Sequence, residues 1–168
     1  ELNGSGQTMA VYKLKADALR NALRPVASGG TAVPPRAVVS IGGNDSIVKV
    51  LLPAAVFDGS SAPANVFLTV ETPRGSYRFP TELIDTAALA RQLGVDPGDI
   101  RIAIVIGAAG QTLSQEIGQK AEAAGMTLVG QPVVYETHIE TSGKQIAIHL
   151  FNQYMLRGIR LDSFVADQ

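Results

Sequence analysis

The sequence predicts an α+β domain: a largely antiparallel β-sheet with two or three short helices. Three observations carry this. Strand-length runs alternate apolar and polar residues, most clearly at Ile100, Ile102, Ile104 and Ile106. Turn-forming clusters join neighbouring runs as hairpins, without the helical crossovers that parallel strands need. Helical spacing is confined to short segments that stop at Pro or Gly.

Along the chain, Leu14, Ala18, Leu19, Ala22 and Leu23 recur at helical spacing and end before Pro25, which predicts a helix over about Lys15 to Arg24. Ala27 to Pro35 is rich in Gly and Pro and reads as a loop. Ala37-Val38-Val39-Ser40-Ile41 and Ile47-Val48-Lys49-Val50-Leu51 flank Gly42-Gly43-Asn44-Asp45, residues that tolerate positive φ, so a first hairpin is expected. Asp58 to Asn65 is a polar break. A second hairpin joins Val66–Glu71 to Ser76–Phe79 through Thr72-Pro73-Arg74-Gly75. Proline sets φ at the first central position, and Gly75 is expected to take the left-handed position of a type I turn with a bulge.

Asp85 caps a helix that runs to Leu93, with Leu89 and Leu93 inward and Gly94 ending it. Asp96-Pro97-Gly98-Asp99 turns the chain into the Ile100–Ile106 strand. Thr112 or Ser114 opens a further helix, ended by Gly125, with Leu113, Ile117, Ala121 and Ala124 as its expected core stripe. Gly118 within it lowers helix stability by up to about 1 kcal/mol relative to Ala. Val133–Thr141 and Lys144–Phe151, joined by Ser142-Gly143, pair Ile139 with Ile146, Thr137 with Ile148 and Tyr135 with Leu150. That register gathers Val133, Tyr135, Ile139, Ile146, Ile148 and Leu150 on one buried face. Tyr154 to Leu161 is predicted as a closing strand. Residues 1–35 form an N-terminal helix and loop, packed on the domain or standing apart from it, and 36–168 form the α+β domain.

Composition narrows the function classes. The chain has 168 residues, 46% of them hydrophobic and only 17% charged, below the roughly 25% charge of ordinary soluble domains. Fourteen basic residues nearly balance fifteen acidic ones, so no net field draws the chain to nucleic acid or anionic lipid. The absence of cysteine excludes disulfides, thiolate catalysis and Cys-ligated metal. No apolar run reaches the ~20 residues of a membrane span. Glu1-Leu2-Asn3-Gly4-Ser5-Gly6 is neither basic nor apolar, which predicts no signal peptide, and the missing initiator Met predicts a fragment of a larger protein.

Two runs resemble a domain of Gram-positive bacterial cell-surface proteins that carry S-layer homology modules. One is Val70-Glu71-Thr72-Pro73-Arg74-Gly75-Ser76-Tyr77-Arg78-Phe79-Pro80, continuing through Ala87–Val95 to the Ile-rich strand. The other is Tyr135–Leu161, above all Phe151-Asn152-Gln153-Tyr154-Met155-Leu156-Arg157-Gly158-Ile159-Arg160-Leu161. The similarity spans roughly residues 36 to 162, and residues 1–35 match less. Its motifs are turns, caps and core alternation, so it speaks for a domain type and not for a chemistry. The resemblance implies an extracellular, cell-wall location and a spacer or scaffold role. Implied partners are neighbouring modules of the same protein, sister subunits or cell-wall polysaccharide.

Glu136, His138 and Glu140 share the outer face of the last hairpin, opposite Gln145, Ala147 and His149, with Glu136 facing His149. Two imidazoles and a carboxylate on neighbouring strand positions can hold a divalent metal; the competing expectation is a solvated, ordinary polar strand face. Ile106-Gly107-Ala108-Ala109-Gly110 lies between strand and helix, where backbone N–H groups can meet an anion. It lacks the Gly-Lys-Ser/Thr of a phosphate loop and the Gly-x-Gly-x-x-Gly of a dinucleotide site, and reads as a connecting turn. The carboxylates Glu71, Glu82, Asp85, Glu136 and Glu140 are available for glycoside hydrolysis, but spacing alone pairs none of them. Phe67, Tyr77, Phe79, Tyr135, Phe151 and Tyr154 read as core, and no Gly-x-Ser-x-Gly elbow is present. The expectation is a non-catalytic structural or self-association module without cofactor, metal or catalytic residues. A carbohydrate-binding accessory module and a small hydrolase are the alternatives.

Overall fold

A computed structural model describes residues 7–23, 36–57, 66–81, 85–141 and 144–146. Among them, eight strands form two mixed sheets, joined by three α-helices: the chain is an α+β domain. The strands are β1 (Met9–Lys13), β2 (Arg36–Ser40), β3 (Ile47–Pro53), β4 (Phe67–Thr72), β5 (Gly75–Pro80), β6 (Ile100–Ala108), β7 (Val133–Thr141) and β8 (Lys144–Ile146). The helices are α1 (Ala16–Leu23), α2 (Thr86–Leu93) and α3 (Gln111–Ala123), with short 3-10 turns at Ala54–Phe57 and Pro97–Asp99. No helix among the described residues is long and apolar enough to cross a membrane.

The larger sheet has the order β1-β3-β6-β7-β8 and the smaller β2-β4-β5. All pairs are antiparallel except β1 with β3 and β2 with β4. The sheets share one hydrophobic core. Val48, Val50, Leu52, Ile100, Ile102, Ile104, Ile106 and Ile139 enter it from the large sheet; Ala37, Leu68, Val70 and Tyr77 enter from the small one. Leu19 and Leu23 of α1, Leu89 and Ala90 of α2, and Ala54, Val56 and Phe57 complete it. Burial of side chains of this size stabilises by about 1.5–3 kcal/mol each, so the alternation in β6 is the main apolar investment of the chain.

Several local expectations hold. Asp85 Oδ1 accepts from the Ala88 amide at 2.8 Å, and Gly94 ends α2 at φ 65°. Ile139 faces Ile146 across β7–β8, and Ile100, Ile102, Ile104 and Ile106 are all buried on one side of β6. The expected pairs Thr137–Ile148 and Tyr135–Leu150, and the closing strand Tyr154–Leu161, lie outside the described residues, as does Ser142-Gly143.

Four expectations are corrected. First, β2 and β3 form no hairpin: β2 lies beside β4, and β3 between β1 and β6. Each has an apolar face to bury, and the core takes those faces from opposite layers; the residues between them, with Gly43 at φ 122°, carry the chain across. Second, the stretch before α1 is a strand. β1 runs parallel to β3, and the Leu14 amide donates to the Leu51 carbonyl at 3.0 Å.

Third, Gly75 is not in the left-handed region. Thr72 pairs directly with Gly75, and the Thr72 hydroxyl accepts from the Arg74 and Gly75 amides, both at 3.2 Å, so a two-residue turn closes without a bulge. The glycine is required for space, because a Cβ there would meet the Tyr135 hydroxyl and lie 3.3 Å from its Cζ. Fourth, the stripe on α3 is not core. No residue of α3 is buried, Leu113 is 41% exposed, and Gly118 faces only Leu128 from the returning segment.

Candidate functional site

Strand β7 carries Glu136, His138 and Glu140 on one face and Tyr135, Thr137, Ile139 and Thr141 on the other, as the two-residue period demands. The second face lines the core. On the first, the β6 partners are Val105 opposite Glu136, Ala103 opposite His138 and Arg101 opposite Glu140. Alanine is small, so the imidazole has room to settle against the sheet. His138 is only 3% exposed. The expected solvated face is therefore corrected at its centre: the imidazole is buried and the acids on either side enclose it.

Both ring nitrogens face carboxylates. Nε2 lies 2.9 Å from Glu140 Oε1, and Nδ1 lies 3.2 Å from Glu136 Oε1. The Nδ1 contact lacks hydrogen-bond alignment, and this buried nitrogen makes no hydrogen bond among the described residues. The same Glu140 oxygen is bound by Lys49 Nζ from β3. Lys49 and Glu140 are largely withdrawn from solvent, whereas Glu136 is 41% exposed at its side chain. Burial works against ionisation of Glu140, but hydrogen bonds and charge from Lys49 and His138 outweigh it. The carboxyl group is thereby held below the usual glutamate range. Arg101 takes no part: its guanidinium donates to the carbonyls of Gly98 at 2.6 Å and Ile100 at 3.1 Å.

The geometry answers the proposed metal set in part. Among the described residues no group of three or more His, Asp or Glu side chains is arranged to hold a metal ion. The Lys49 ammonium pairs with the carboxylate of Glu140, which lies outside the expected set of Glu136, His138 and His149. His149, Ala147 and the pairing of His149 with Glu136 lie outside the described residues, and the Gln145 side chain is likewise not described. Nothing local in the sequence marks Lys49 as a partner of this row, because its strand is separated from β7 by β6.

The other candidates fall into structural places. Gly107 sits within β6 facing Ile47, whose Cγ1 would be 2.9 Å from an added Cβ, so the glycine serves close strand packing. Gly110 precedes α3 and offers no side-chain cap. Of the acids, Asp85 caps α2 and Glu71 accepts from the Ser40 hydroxyl at 3.3 Å; Glu82 lies outside the described residues. Glu136 and Glu140 come together only through His138. The rings of Tyr77 and Tyr135 are tilted by 34° to each other at the core edge, with centroids 6.2 Å apart. Burial raises the pKa of both phenols, for Tyr77 against an opposing hydrogen bond with Thr137. Phe67 lies beneath the Arg78 guanidinium, 4.1 Å from the ring centroid. Phe151 and Tyr154 lie outside the described residues, and of Phe79 only the backbone is described.

Comparison with protein-family models finds no family that matches this chain. Searches among curated proteins and among solved structures likewise find no match.

Proposed function

We propose that the chain is a non-catalytic structural module of a bacterial cell-surface protein, a spacer whose task is to hold geometry between neighbouring modules or sister copies. The observation that carries this reading is the use of its charged groups. Glu140 binds both Lys49 and His138 across the sheet, and a carboxylate engaged in this way braces strands in place of facing a substrate. Strand β1 supports the self-association side of the reading. Among the described strands it stands at the end of the large sheet, with Val11 37% and Tyr12 36% exposed, and apolar side chains at a sheet margin offer contacts to other chains. The surface location rests on the resemblance carried by residues 70–80 and 151–161.

Brief protease treatment of intact source cells tests the location: a surface module is removed from the cells, and full protection overturns the reading. Sedimentation velocity over a range of concentrations tests the scaffold role. Self-association that weakens on Val11→Lys supports it. Specific binding of wall polysaccharide, with no association between copies, turns the reading to a carbohydrate-binding module instead.

A further inference from the structure

The strand period of two gives the small sheet an inner face on the core and an outer face turned away from it. Its register sets the outer residues in rows: Arg36 of β2 beside Phe67 of β4, and Val38 beside Thr69 and then Arg78 of β5. Arg36, Val38 and Arg78 are exposed, Val38 at 43%, and Phe67 and Thr69 are half-buried. Two cations meet at one end of this face. Arg36 is the register partner of Phe67, and the Arg78 guanidinium reaches diagonally over the same ring, 4.1 Å from its centroid.

The ring steadies the Arg78 guanidinium without using its N–H donors. Neither arginine makes a hydrogen bond or an ion pair among the described residues. Glu71 shares the face but stands four residues from Phe67 along β4, about 13 Å away, and accepts from the Ser40 hydroxyl. Two guanidinium groups flanking one ring with their donors unused form a receptor for a carboxylate, which matches their planar fork. The surroundings indicate what carries that carboxylate. Strand β4 spends its main-chain groups on β2 and β5, so a peptide laid on this face finds no backbone partners of the kind that strand addition needs. Val38, the Phe67 ring and the Thr69 hydroxyl offer instead an apolar surface and a polar group beside the two cations. A sugar acid has the matching set: a C–H face, hydroxyls and a carboxylate.

We infer that the Arg36–Phe67–Arg78 end of the outer face of the small sheet binds a carboxylate-bearing polysaccharide. The two guanidinium groups take the carboxylate, and Val38 with the open part of the ring takes the C–H face of a sugar. The site lies on a different sheet from β1, so it does not depend on association between copies. Binding by a chain that still self-associates would join the spacer to a glycan.

Titration calorimetry of the full chain with a short oligogalacturonate tests this, at about 0.15 M salt, where attraction beyond roughly 8 Å is screened. The expected result is saturable binding that methyl esterification of the probe abolishes. Arg36→Gln and Arg78→Gln should each weaken it by about tenfold or more. Both side chains are exposed, so thermal melts of these variants should match the wild type. Lys13→Gln combined with Lys120→Gln removes two positive charges away from the face and should leave the affinity unchanged. Absence of saturable binding, undiminished binding of the ester, or an equal loss in the lysine variant overturns the inference. An oligoglutamate that binds as tightly through the same arginines also overturns it and assigns the site to an acidic peptide. Sedimentation velocity on the arginine variants reads self-association separately, so failure of the glycan site and failure of the spacer reading are distinguishable.

Discussion

Lys49 of β3 and His138 of β7 meet on one carboxylate oxygen, Glu140 Oε1, although β6 lies between their strands. The backbone ladder joins only adjacent strands, so this side-chain bridge ties together two strands that share no main-chain hydrogen bond. It also compensates the burial of a carboxylate, which would be costly alone.

Replacing Lys49 removes the ammonium and leaves Glu140 with one donor in a largely desolvated place. Lys49→Met keeps most of the apolar stem, so the loss is mainly electrostatic. We expect destabilisation of about 1–2 kcal/mol, read from urea unfolding at neutral pH. In a double-mutant cycle with Glu140→Gln the two changes should be non-additive by about 0.5–3 kcal/mol; strict additivity would mean that the pair is not coupled.

The same site sets an acid response. Because the folded-state pKa of Glu140 is lowered, the unfolded chain binds its proton first as the pH falls. The contribution to stability is complete above the ordinary glutamate range and is lost as pH drops through the folded-state value. Unfolding midpoints measured between neutral pH and about pH 3 should fall more steeply for the wild type than for Glu140→Gln. Parallel curves would contradict the assignment.

Gly75→Ala tests the contact between the β4–β5 turn and β7. The new methyl group meets the Tyr135 hydroxyl, and overpacking of this kind costs about 1–3 kcal/mol. Combining it with Tyr135→Phe removes the oxygen, and part of the thermal stability should return. No recovery would place the strain elsewhere.

Asp85→Ala removes the side-chain acceptor that Ala88 uses at the start of α2. The expected loss is about 1 kcal/mol, while Asp85→Ser or Asp85→Asn should retain most of the stability in thermal melts. An acidic-to-neutral change that costs as much in Asn as in Ala would point to charge in place of capping.

Features set by neighbours along the chain were legible in advance. Asp85 and Gly94 bracket α2 because a cap needs only residues within one turn. Ile100, Ile102, Ile104 and Ile106 declare their buried side because the strand period is two, and Ile139 stands opposite Ile146 in the register because the two runs are close in sequence. The candidate site was legible as a row on β7, Glu136, His138 and Glu140, but its burial was not. Exposure depends on what lies opposite, here Ala103 and the long side chain of Lys49, and neither is near in sequence.

Partner choice between strands could not be read from the chain. β2 and β3 carried hairpin chemistry, yet each joined a different sheet, because burying both apolar faces in a common core outweighed the proximity of their ends. Loop closure costs grow only slowly with length, so distant strands such as β1 with β3 or β2 with β4 pair at little extra penalty. Gly75 shows the same division on the scale of one atom: its turn was foreseeable, while the reason for a glycine, the Tyr135 hydroxyl beside it, exists only once β5 and β7 share the core.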